Sequence, residues 1–244
     1  MDVVAHRGLH TRAPENSLAA VVAALEAGLD RIEVDVRALG DGELVLMHDR
    51  TLWRTTNAGG DLRRLRSSTL RDVRLTDGSA VPTLAEVMRR VAGQAVLCVD
   101  VKEPALAPAI IDLARSLGTF IELWSEHHEV VACAADHGVF GALISSGLLR
   151  RDGIAGLVDE ASQLGARALS FYPADVMRSV VDACHRAGLI VMSGTPNDRP
   201  TWDYQRQLGV ERVITDRPAE CYRWLAEAIA APSAPSTSSA PRAR

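Results

Sequence analysis

A chain of 244 residues and 26.2 kDa suits one domain, or two small ones at most, and can bury a substantial core. The net charge of −4 is modest and the arginines are interspersed with Asp and Glu, which excludes the concentrated basic footprint of a nucleic-acid binder. No apolar run is long enough to span a bilayer, and the start, Met1 to His6, lacks the basic-then-apolar pattern of a signal peptide.

The elements are read in chain order from hydrophobic periodicity and punctuation. Val3 to Ala5 is a strand, and a helix starting near Asn16 or Ser17 stops at Gly28. Arg31 to Val36 alternates strictly and reads as a strand; Asp41-Gly42 is a hairpin signal, and Leu44 to Met47 a further strand. From about Arg50 to Val81 the chain is polar and irregular, and its densest basic stretch, Arg63, Arg64, Arg66 and Arg71, reads as a solvated loop. Pro82-Thr83 opens a helix with an acidic first turn. Strands are then expected at 95–101, 120–123, 141–145, 167–171, 189–192 and 213–215, and helices at 105–117, 126–137, 151–164, 175–187, 202–208 and 218–230. Residues 232–244 are Ala, Pro, Ser, Thr and Arg without periodicity, a disordered tail by composition.

Without the 44–47 segment this makes eight strand–helix units, with apolar strands of the kind covered on both faces. The expected fold is a TIM (β/α)8 barrel, with an open doubly wound sheet as the alternative; no GxGxxG follows the first strand to support a nucleotide crevice. Cys98, Cys133, Cys184 and Cys221 are too widely spaced for a zinc knuckle or a CxxC pair. They read as small core residues, in keeping with a reducing, cytoplasmic location.

In a barrel, catalytic groups gather beyond the C-terminal ends of the strands. His6 and Arg7 follow the first strand, His48 ends the extra strand, Asp100 and Lys102 close the third, Glu122 lies in the fourth, and Asp216 follows the last. Glu33 and Asp35, two apart on a strand, share a face opposite Ile32, Val34 and Val36. Two inward carboxylates call for a positive charge between them: a hard cation such as Mg²⁺ or Ca²⁺, or else arginine or plain solvent. Asp100 repeats the pattern one strand along. Lys102 is the only lysine among 27 basic residues, which suggests a role that a planar guanidinium cannot fill. His6 and His48 at strand ends make an acid–base pair; the four helical histidines read as surface or packing groups, and His10 in the first loop as either near the site or solvated. No HExxH, convincing HxH or Gly-x-Ser-x-Gly pattern points to a zinc hydrolase or a serine nucleophile.

Val4-Ala5-His6-Arg7-Gly8, Pro14-Glu15-Asn16-Ser17, Ile32 to Val36, His48 to Leu52 with Arg54-Thr55-Thr56, Val81 to Val87, Val99 to Lys102, and Ile214-Thr215-Asp216-Arg217-Pro218 follow one another in a telling order. In order and spacing they resemble the glycerophosphodiester phosphodiesterases, over about residues 3–218. The resemblance implies a TIM barrel, spanning 1–231 here, with a small insertion after strand two at roughly 37–81. It implies one divalent cation, Mg²⁺ or Ca²⁺, on Glu33, Asp35 and Asp100, an acid–base pair His6 and His48, and phosphate contacts from Arg7 and Lys102. The implied reaction is hydrolysis of a glycerophosphodiester to sn-glycerol 3-phosphate and an alcohol through a cyclic phosphate. A bacterial source accords with the arginine- and alanine-rich composition.

The chain departs from the family pattern at three points. Asp100 stands where glutamate is usual, Gly194-Thr195 where Trp-Thr is common, and Trp124-Ser125-Glu126 where Ser-Phe is common. Trp124 and Gly194 are therefore candidate pocket-wall positions. Alternative functions are a lysophospholipase D acting on a lysolipid, a specialised or cyclising phosphodiesterase of secondary metabolism, and a catalytically silent phosphodiester-binding barrel. Oligomeric state is left open.

Overall fold

Short apolar strands separated by amphipathic helices have one economical solution, a sheet rolled up on itself inside a ring of helices. The computed structural model describes residues 1–145 and 148–230 and has this form; the expected tail at 232–244 lies outside the described residues. The first half contains β1 (Asp2–Ala5), α1 (Leu18–Glu26), β2 (Arg31–Ala38), β3 (Leu44–Leu46), α2 (Ser67–Leu70), α3 (Leu84–Val91), β4 (Val96–Val101), α4 (Ala107–Leu117) and β5 (Ile121–Ser125). The second half contains α5 (His128–Asp136), β6 (Phe140–Ile144), α6 (Leu148–Gln163), β7 (Ala168–Phe171), α7 (Arg178–Arg186), β8 (Ile190–Gly194), α8 (Arg199–Leu208), β9 (Arg212–Thr215) and α9 (Pro218–Ala230).

The parallel strands run in the order β1-β9-β8-β7-β6-β5-β4-β2, and pairing of Ala5 with Ile32 joins β2 back to β1 and closes the barrel. β3 lies antiparallel on β2, with Val36 opposite Leu46, so it is a flap on the barrel and not one of its staves. Alternation sorts the side chains. Ile32, Val34, Val36, Val99 and Val101 pack outward with the helices, whereas Val4, Cys98, Trp124, Ala142, Ala168, Met192 and Ile214 fill the barrel.

Two local rules explain where the elements begin. Thr83 caps α3 in a reciprocal capping box with Glu86. Asp198 accepts from the Thr201 amide, and α8 therefore begins at Arg199, three residues before the expected 202. α4 and α7 start later than expected because Pro104 and Pro173 open short 3₁₀ turns ahead of them. The stretch after β3 has more order than its polarity suggested. Leu39, Val45, Met47, Leu52, Leu62, Leu70, Val73, Leu75 and Val81 form a separate small core, which steadies the segment carrying His48.

Glu122 is a correction to the sequence reading. It lies at the N-terminal floor of the barrel, remote from the strand-end groups, and accepts from Arg31 at 2.5 Å, Arg212 at 2.6 Å and Trp124 Nε1 at 3.1 Å. Cys98, Cys184 and Cys221 are buried free thiols, and Cys133 is half-buried. Among the described residues no helix is long and apolar enough to cross a membrane.

Candidate active site

A cavity of about 250 Å³ opens at the C-terminal end of the barrel, where the loops after the strands converge. Nine of the site candidates line it: His6, Arg7, Glu33, Asp35, His48, Asp100, Lys102, Trp124 and Gly194. Glu126, Ile144, Ser170, Tyr172, Thr195 and Ile214 complete the wall. A neighbouring cavity shares His48, Asp100, Lys102 and Glu126 and extends the site towards Arg37 and His127.

Its base is acidic. β2 presents Glu33 and Asp35, β4 presents Asp100, and carboxylate oxygens of the three lie within 4.8 Å of one another. The Lys102 ammonium sits between two of them, 2.8 Å from Asp35 and 2.5 Å from Asp100. Asn16, in a left-handed backbone conformation, donates to Asp35 Oδ2 at 2.7 Å and accepts from the Asp35 amide at 3.0 Å. The Arg7 amide donates to Glu33 at 2.8 Å. Arg7 Nε stands 3.1 Å from Asp35 Oδ2 without hydrogen-bond alignment, a contact of charges only.

Burial pushes Glu33 well above the ordinary carboxylate range, and Asp35 and Asp100 push it further. Burial also raises Asp100, to about 6, against the pull of Lys102. Asp35 is buried as well, yet Lys102 and Arg7 together hold it low. Fully ionised, the three carboxylates exceed the charge of one ammonium and one guanidinium, so a cation can take the place of the raised protons. Three clustered hard oxygen donors with that surplus fit a divalent cation.

Above the acids stand two imidazoles with matching supports. His6 Nδ1 is 2.6 Å from Asp216 Oδ1, and His48 Nδ1 is 2.7 Å from Asp49 Oδ1. An ionised carboxylate only accepts, so each imidazole donates through Nδ1 and keeps Nε2 for the cavity. Asp49 is held in turn by Arg54 at 2.6 Å; Arg54 reaches Glu15 through two 2.8 Å bonds, and Glu15 accepts from Arg7 at 2.8 Å. This chain of charge ties the first loop to the segment after β3. The side-chain hydrogen bond from Arg54 outweighs burial and lowers Asp49 to about 2. Trp124 is the floor of the pocket, fixed by its indole N–H on Glu122.

The sequence reading gave no role to Asp49, Asp216, Glu15, Arg54 or Asn197, which hold the named groups in place. Asp49 had a usable signal in its adjacency to His48. Asp216 had one too: closure pairs β9 with β1, so a carboxylate just beyond β9 faces a histidine just beyond β1.

A closed β/α barrel presenting two carboxylate-backed imidazoles, an ammonium and a clustered acid trio has the makings of an enzyme that moves protons on an anionic substrate. Residues 6–113 match the Glycerophosphoryl diester phosphodiesterase family. A glycerophosphodiester phosphodiesterase of Caldanaerobacter subterraneus subsp. tengcongensis is 28% identical over 234 residues, spanning 88% of this chain and 94% of that protein. The crystal structure of an Agrobacterium tumefaciens glycerophosphodiester phosphodiesterase is 26% identical with a TM-score of 0.76, covering 90% of this chain and 97% of the other. An Oleispira antarctica phosphodiesterase, solved with the product sn-glycerol-3-phosphate, shares the fold at 21% identity and a TM-score of 0.79, covering 93% and 97%. The chain is thus similar to the glycerophosphodiester phosphodiesterases, by the family match over residues 6–113 and by relatives aligned along most of its length.

Proposed function

We propose that the protein hydrolyses glycerophosphodiesters to sn-glycerol 3-phosphate and an alcohol. The observation that carries this reading is the pair His6 and His48, each with Nδ1 on its own carboxylate, in one cavity with the Glu33, Asp35 and Asp100 cluster. The full-length relative from Caldanaerobacter supports it by name.

Arg7 and Lys102 draw the diester in and set the phosphate against the acid cluster. A divalent cation, Mg²⁺ or Ca²⁺, on Glu33, Asp35 and Asp100 would supply charge neutralisation on the non-bridging phosphate oxygens. One imidazole takes the proton of the glycerol 2-hydroxyl as that oxygen attacks phosphorus, and the other protonates the departing alcohol. The resulting five-membered cyclic phosphate is opened by water with the two proton transfers reversed, which leaves the phosphate on the glycerol 3-oxygen. Asp49 and Asp216 stabilise whichever imidazole is charged at each stage. Trp124 packs beneath the substrate, and Gly194 leaves space where a side chain would narrow the pocket.

The test is a substrate panel of glycerophosphocholine, glycerophosphoethanolamine and lysophosphatidylcholine, with glycerol 3-phosphate and choline quantified in Mg²⁺, in Ca²⁺ and with chelator. Glycerol 3-phosphate from the first two, lost with chelator, is the expected result. Turnover of the lysolipid alone, or of none, overturns the assignment.

A further inference from the structure

His10 lies on the loop between β1 and α1, and that loop is anchored. The Leu9 side chain is buried and its amide donates to Ala20 O at 2.9 Å, so His10 is presented by a fixed backbone. Its Nε2 is 3.0 Å from Asp216 Oδ1, the same oxygen that His6 Nδ1 reaches at 2.6 Å. The two rings meet edge-on with centroids 6.3 Å apart. Asn197 holds the other side of the carboxylate: its Nδ2 donates to Asp216 Oδ2 at 2.6 Å, and its Oδ1 accepts from the Asp216 amide at 2.9 Å and from Thr215 Oγ1 at 2.8 Å. Neither His10 nor Asp216 lines the cavity, so His10 is linked to it through Asp216 and then His6.

We propose that His10 is a positioning residue: by donating to the oxygen shared with His6 it locks the Asp216 carboxylate in plane, and thereby fixes the tautomer and direction of the His6 ring.

The physical reason is a count of constraints. Asp216 follows the last residue of β9, and its side chain is about one-third exposed, at 32%. Asn197 fixes Oδ2 alone and leaves the carboxylate free to rotate about that bond. A second donor on Oδ1 removes the remaining freedom, so His6 meets an acceptor in one place. Hydrogen bonds from His10 and His6 hold the Asp216 carboxyl far below its ordinary range, so the acceptor stays ionised whenever the enzyme works. A hydrogen-bonded second donor of this kind acts on the orientation of a catalytic group as outer-shell partners do on metal ligands, where losses run to about 10–100-fold.

The proposal rests on His6 being a proton-transfer group, and its test keeps the two claims apart. His10→Phe preserves a ring and removes the donor; His10→Gln can restore a donor to the same oxygen. In ¹⁵N-histidine NMR of the full-length protein without substrate, the His6 signals are expected to report a single Nδ1-protonated tautomer in the wild type. They should show mixed tautomers in His10→Phe and a return towards wild type in His10→Gln. On glycerophosphocholine, kcat should fall about 10-fold in His10→Phe with KM little changed, and recover in His10→Gln. In an Asp216→Ala background His10→Phe should add nothing. Unaltered His6 signals in a folded His10→Phe protein overturn the proposal even if the enzyme is active. Altered signals in a protein with no diesterase activity would instead uphold the positioning and overturn the functional reading.

Discussion

Glu122→Gln isolates what the barrel floor contributes. Glu122 is 5% exposed and is the shared acceptor of two guanidiniums and an indole. Arg212, also 5% exposed, has among the described residues only Asp2 at 3.8 Å as a second acidic neighbour. The amide keeps the shape but carries no charge, and its NH₂ end must face one guanidinium, so the buried Arg212 and the half-buried Arg31 are left around a neutral group. Removing one partner of a buried ionic cluster costs about 3–5 kcal/mol. For a chain of this size that is a fall in Tm of roughly 6–20 °C. Urea unfolding followed by circular dichroism, with thermal melts alongside, reads both quantities. Because the floor lies at the opposite end from the histidines, the folded variant should retain kcat, with any loss confined to KM through the Trp124 link. A destabilisation below about 1 kcal/mol, the size of a solvated pair, would refute the account of the floor. An abolished kcat in a folded protein would return Glu122 to the catalytic set.

The other expectations concern the mouth. If Glu33, Asp35 and Asp100 hold a divalent cation, Mg²⁺ or Ca²⁺ at a hundred times its Kd should stabilise the fold by about 2.7 kcal/mol, a rise in Tm of roughly 5–10 °C. That shift should vanish in Asp35→Asn, read by differential scanning fluorimetry. The Asp216 carboxyl is held low by His10 and His6, so its stabilising effect is present above the unfolded-state value of about 3.9 and is lost as pH falls further. Urea melts of wild type and Asp216→Asn should therefore differ at pH 7, and the difference should begin to shrink only as pH falls below about 4. Arg54→Ala unhooks Asp49 and Glu15 together and should lower kcat about 10-fold in steady-state assays through looser holding of His48.

Most of the barrel is legible in the sequence because eight short apolar runs separated by amphipathic stretches allow few topologies. The inward face of Glu33, Asp35 and Asp100 followed from period two alone, and the structure places them as that period requires. The misreadings came from closure and composition. A strand ending at Leu123 would put Glu122 near the strand ends; β5 runs on to Ser125, which drops Glu122 towards the opposite end. The stretch from Arg50 to Val81 looked structureless because its apolar residues, among them Leu62, Leu70 and Val73, follow no period and meet only in three dimensions. Of the carboxylates behind the histidines, Asp49 is signalled by adjacency to His48, whereas the partner of Asp216 follows only from barrel closure. Asp216 and His6 are brought together by the β9–β1 pairing, and no local pattern announces a contact 210 residues apart in sequence.

The central claim is that His6 and His48 are the proton carriers of a glycerophosphodiester hydrolysis run over the acid cluster. Phosphorus NMR of glycerophosphocholine incubated with the wild type, His6→Ala and His48→Ala in Mg²⁺ or Ca²⁺ tests it most directly. Growth of the sn-glycerol 3-phosphate signal with the wild type, and its loss in both folded variants, is the expected result. Undiminished product formation by either variant would contradict the account.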